Sequence, residues 1–101
     1  MTINGRTNKY YIGDIGTLIR VDTGVDIHDA TTVSLLVLKP SDVNEEWDGE
    51  VDEDFPTEIQ HTTELGDFTS AGTYKVQAYV ETTEGTWKGS TTSFVVSADF
   101  A

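Results

Sequence analysis

The sequence predicts an all-β protein, a sandwich of about seven short antiparallel strands in two packed layers. Three observations carry that prediction. Tyr74, Val76, Ala78 and Val80 recur at period two, with Lys75, Gln77 and Glu81 between them, as in a strand with one buried face. Short β-prone runs alternate with turn signals such as Thr23-Gly24, Lys39-Pro40-Ser41-Asp42 and Thr82-Thr83-Glu84-Gly85. No stretch shows helical periodicity.

Taken in order, Lys9 to Ile12 is a short β-prone run ended by Gly13-Asp14. Thr17 to Asp22 follows as a strand, with Ile19 and Val21 on one face and Arg20 and Asp22 on the other. The connection Val25 to Ala30 is expected to tuck Val25 or Ile27 into the core. Thr32 to Leu38 carries aliphatics on both faces, which predicts a central strand or one whose outer face meets another chain. Pro40 ends it, because proline cannot donate to a ladder. Glu45 to Val51 reads as one strand with Trp47, Gly49 and Val51 on one side, and Glu58 to Thr63 as another, in which Ile59 and His61 alternate with Glu58 and Gln60. Gly72 to Val80 and Thr86 to Val96 form an antiparallel hairpin. In its second strand Thr92, Phe94 and Val96 share one face, and Trp87, Ser93 and Val95 the other.

The 101 residues are expected to make one domain, residues 1–101, with a single modest core. With no cysteine, neither a disulfide nor a thiolate zinc site can hold it. Eighteen acids against six bases give a formal charge of −12, which repels phosphate backbones and anionic lipid surfaces. Nucleic-acid and membrane partners are therefore not expected. The first stretch, Met1 to Lys9, lacks the apolar core of a signal peptide.

Site chemistry is sparse. The acidic tract Asp42 to Asp54 offers the oxygen ligands calcium requires, but no register sets glycine sixth and glutamate last as a calcium-binding EF-hand loop needs. A solvated edge whose charges block strand pairing explains the tract as well. His28 and His61 lie in different elements and read as surface or half-buried residues, not as zinc ligands. No Gly-x-Ser-x-Gly elbow accompanies Ser34 or Ser93. Catalytic, cofactor-binding and metal residues are thus expected to be absent, apart from the calcium possibility. Tyr10, Tyr79, Trp47 and Trp87 remain, either as core and end-covering rings or as a ligand-facing platform for a glycan, with Trp47, Trp87 and Tyr79 the candidate contacts.

Phe68-Thr69-Ser70-Ala71-Gly72-Thr73-Tyr74 is similar to the tyrosine corner of immunoglobulin-like domains, in which a phenol bonds back to nearby backbone. That resemblance makes Gly72 and Tyr74 architectural and the sandwich immunoglobulin-like; without the cysteine pair it is no antibody domain. A narrower resemblance runs through Tyr11 to Thr17, then Val33 to Leu38 with Lys39-Pro40, then Gly72-Thr73-Tyr74 and Trp87-Lys88-Gly89. In that order the motifs resemble the immunoglobulin-like domain at the N-terminus of phage baseplate upper proteins and its free-standing relatives. Those domains commonly show a Lys-Pro-Asp-Gly turn, where this chain has Lys39-Pro40-Ser41-Asp42. The resemblance implies a non-enzymatic bacteriophage virion protein on a tail, baseplate, neck or capsid surface. It implies virion-protein partners, many copies in a symmetric assembly, and location in the virion. Met1 to Lys9 and Ser97 to Ala101 are then expected to be tied down by a neighbouring chain. A glycan- or host-surface-binding module is the alternative.

Overall fold

In the computed structural model, which describes residues 10–99, the chain forms eight strands: β1 (Tyr10–Tyr11), β2 (Leu18–Asp22), β3 (Thr32–Leu38), β4 (Asn44–Asp48), β5 (Glu50–Val51), β6 (Glu58–Thr62), β7 (Gly72–Thr82) and β8 (Gly85–Ser97). The contact expected of Met1 to Lys9 lies outside the described residues, as does that of residues 100 and 101. One sheet has the order β1-β8-β7-β3-β4 and the other β2-β6-β5. All pairings are antiparallel except β1 with β8, which joins Tyr10 to Val96 in parallel. The fold is an immunoglobulin-like β-sandwich.

The alternation explains the layers. Leu35 and Val37 of β3 and Tyr74, Val76, Ala78 and Val80 of β7 turn inward to meet Ile19, Val21 and Ile59 of the smaller sheet. Of the two candidates in the β2–β3 connection, Ile27 is buried and Val25 exposed. β3 is central, bonded to β7 on one side and β4 on the other.

Two expectations need correction. The run from Glu45 to Val51 is not one strand: the chain leaves the five-stranded sheet at Asp48 and enters the three-stranded sheet at Glu50. Gly49 makes the crossing because a Cβ there would sit 2.5 Å from Ile59 Cγ2. In β8, Trp87 does not share a face with Ser93 and Val95. Register breaks between Gln77 and Tyr79, so Gly89 and Ser90 oppose Ala78 alone and the strand changes phase. Trp87 therefore pairs with Val80 and packs against the core from the same side as Phe94.

The β3–β4 turn closes with Asp42 N–H donating to Lys39 O at 2.9 Å and Asp42 at φ 66°. Aspartate is among the few residues that tolerate this left-handed conformation.

Candidate functional site

Gly72 opens β7 at φ 133°, and a Cβ there would lie 2.9 Å from the Pro40 ring. Glycine is thus needed both for its backbone angle and for close approach. Two residues on, the Tyr74 ring is fully buried, stacked on Phe94 at 5.5 Å and edge-on to Phe68 at 5.7 Å. Its hydroxyl donates to Ser70 O at 2.9 Å and accepts from Ser70 N–H at 3.3 Å. This is the bond pattern of a tyrosine corner.

The aromatic platform does not form. Trp47 points into the core, 3 % exposed, stacked on His61 at 4.9 Å, with its indole N–H donating to Glu45 Oε1. It cannot face a ligand. Tyr79 lies on the opposite, outer side of the sheet, where Ser34 is its cross-strand neighbour. Partial burial and the charges of Glu81 and Glu46 push its phenol pKa up.

His61 is buried, not superficial: at 7 % exposure its Nδ1 lies 2.6 Å from Asp48 O and its Nε2 2.7 Å from Asp67 Oδ2. A carbonyl only accepts, so the Asp48 contact takes Nδ1 as donor, and Nε2 is occupied by Asp67. Neither ring nitrogen is left to serve a substrate. Lys39 is likewise buried and occupied, reaching Glu45, Gly66 O and Thr69 Oγ1. Strand alternation marks His61 as inward, but the occupant of each ring nitrogen comes from distant segments.

His28 sits on the β2–β3 connection, with Nδ1 2.7 Å from Asp26 and Nε2 3.0 Å from Asp29. The Asp26 hydrogen bond, then the charges of both aspartates, raise its pKa, while bonds from His28 lower that of Asp26. The histidine contribution is complete below its unfolded-state pKa and lost as pH rises through the raised value. The Asp26 contribution is complete above its unfolded-state pKa and lost as pH falls through the lowered one. An NMR titration is therefore expected to place the His28 midpoint above that of an unfolded peptide, and D26N to bring it back down.

The acidic tract supplies separate partners instead of one site. Glu45 takes Lys39, Glu46 accepts from Ser34 Oγ, and Asp52 binds Arg20 at 3.1 Å. The sheet change at Gly49 sends these carboxylates to different layers. Among the described residues no group of three or more His, Asp or Glu side chains is placed to hold a metal.

What the large sheet does present is its outer face. Leu36 and Leu38, half-buried on the central strand, point away from the core and form the floor of an open cleft of about 370 Å³. Asn44, Glu45, Lys75, Gln77 and Thr91 supply its polar lining. Segments 30–41, 68–80 and 85–98 contain no acid; the charges at this face are Glu45 and Lys75 in the lining, Glu46 opposite Leu36, and Glu81 beside Tyr79.

No family model matches the sequence, and no curated protein matches it. The fold is similar to that of a solved structure, CopC from Methylosinus trichosporium OB3b, at 18 % identity over 94 % of this chain and 89 % of that one, with a TM-score of 0.60. This finding overturns the reading as a bacteriophage virion protein and the virion location, because the sandwich that supported them is equally that of CopC. It also overturns the expectation that no cofactor is involved, calcium aside. The glycan alternative is not favoured either, since Trp47 is interior. At this identity the likeness carries the fold.

Proposed function

We propose that this chain is a non-catalytic binding module that presents the outer face of its five-stranded sheet to a protein partner. The carrying observation is the pair Leu36 and Leu38, aliphatic at outward positions of the central strand, where a sheet facing only water would carry polar residues. An apolar floor with Asn44, Glu45, Lys75 and Gln77 around it has the composition of an interface: apolar centre, polar rim. A non-enzymatic role agrees with the CopC likeness and with a His61 whose ring nitrogens are both engaged.

The test is affinity capture from the source cells with the wild type, L36E and, on the opposite outer face, Q60E. A protein retained by wild type and Q60E but lost from L36E, with the melting temperature of L36E unchanged, supports the reading. Equal retention by all three contradicts it.

A second reading, metal carriage at the His28 loop, rests on an exposed imidazole flanked by the carboxylates of Asp26 and Asp29. The residues fit a complete copper site poorly, because Asp26 and Asp29 occupy opposite ring nitrogens and cannot converge on one ion with the imidazole. Copper(II) titration followed by electron paramagnetic resonance tests it. A nitrogen-coordinated signal lost in H28A would support carriage there, and a signal unchanged by H28A would remove it.

A further inference from the structure

Among the described residues β4 is laddered to β3 alone, at the end of the five-stranded sheet opposite β1, the strand that residues 1–9 precede. The direction of its backbone groups follows from the bonds at both ends of that ladder. Lys39 N–H donates to Val43 O at 2.9 Å, and Gly49 N–H donates to Val33 O at 3.3 Å. Pairs two residues apart in an antiparallel ladder bond alike, so Glu45 and Trp47 turn their N–H and C=O toward β3. Asn44, Glu46 and Asp48 therefore turn theirs away from it. Of these groups only Asp48 O has a partner among the described residues, His61 Nδ1 at 2.6 Å. The N–H groups of Asn44, Glu46 and Asp48, and the carbonyls of Asn44 and Glu46, form an open strand edge, which is a template for strand addition. The side chains of the same three residues are exposed on the outer face.

We infer that this edge takes up an extended, basic segment of a protein partner as a sixth strand, antiparallel to β4. Charge selects the occupant. Glu46 and Asp48 stand side by side on one face of the edge, Asp42 and Glu50 flank it, and β4 itself carries no base. A second copy of β4 would set like charges across the ladder, between two chains of −12 each, which is destabilising. Lysine or arginine directly opposite Glu46 and Asp48 is attracted instead. The ladder also fixes the spacing. Residues opposite Glu46 and Asp48 are two apart, so the incoming segment carries its bases at alternate positions. Those same residues exchange main-chain bonds with the edge, so backbone supplies affinity and the acids supply selectivity. Neither Leu36 nor Leu38 belongs to this edge, and the inference goes beyond the outer-face reading without depending on it.

Heteronuclear NMR of the full chain tests this inference, with a capped heptapeptide alternating threonine and lysine as the probe. In the free chain, amide exchange is expected to be slow at Glu45 and Trp47 and fast at Asn44, Glu46 and Asp48. The peptide is expected to shift the Glu46 and Asp48 amides, to slow their exchange at least tenfold, and to bind less well as salt is raised from about 0.05 to 0.5 M. N-methylation of its lysines is expected to abolish binding, because those residues face the edge, and N-methylation of its threonines to leave it intact. E46Q combined with D48N keeps an acceptor for Ser34 Oγ and is expected to weaken binding at least tenfold. Slow exchange at Asn44, Glu46 and Asp48 in the free chain overturns the inference, since the edge is then covered. A lysine peptide that does not bind overturns it as well. Equal binding of a peptide with glutamate for lysine, or with N-methylated lysines, overturns it by removing either the charge or the ladder from the contact.

Discussion

Truncating Tyr74 to alanine is expected to bring the domain close to unfolding under native conditions. The ring is fully buried and lies between Phe68 and Phe94, so its removal deletes its contacts with both rings at once. Large-to-small changes of buried aromatics cost about 3–5 kcal/mol. Domains of this size carry only about 5–15 kcal/mol in total. Y74F separates the ring from the hydroxyl. It keeps the packing but leaves the Ser70 N–H and C=O without their side-chain partner, a loss of about 1–3 kcal/mol. Each kilocalorie moves the melting temperature of such a domain by about 4–8 °C. Thermal denaturation should therefore rank wild type above Y74F and Y74F far above Y74A. Equal melting of Y74F and wild type would show that the corner bond contributes nothing.

Replacing Trp47 with alanine is expected to cost as much, about 3–5 kcal/mol, for a different reason. Its ring covers His61, and its indole N–H is one of the groups that occupy Glu45, the carboxylate paired with Lys39. The cavity left behind would admit water to the buried His61–Asp67 contact, so the loss is more than apolar area. W47F should recover most of the stacking and only part of the stability, since it lacks the donor to Glu45. Urea denaturation followed by circular dichroism measures both. A W47A chain as stable as wild type would return Trp47 to the list of ligand-facing rings.

Much of the fold was legible because strand alternation is a local signal. The inward faces of β2, β6 and β7 can be read from residue types alone: Ile19 and Val21, Ile59 and His61, Tyr74 to Val80. The tyrosine corner was legible too, because its bond spans only four residues. What escaped depended on partners distant in sequence. Nothing local marks Gly49 as the point where the chain changes sheets; the requirement comes from Ile59 in another strand. The side on which Trp87 falls turns on a bulge opposite Ala78, and a bulge reverses facing without altering composition. The acidic tract looked like one cluster because its residues are neighbours in sequence, yet the structure distributes them over two sheets. The motif order that resembles a phage family says which residues build the sandwich, and a sandwich does not declare its role. On the outer face, both-sided aliphatics along β3 were the readable clue.

The most direct test of the outer face as the binding surface is site-specific photo-crosslinking in the source cells, with the probe at Gln77 beside Leu36 or at Gln60 on the opposite face. The account predicts one dominant protein adduct from Gln77, identified by mass spectrometry, and none of it from Gln60. The same adduct from both positions, or from Gln60 alone, would contradict it.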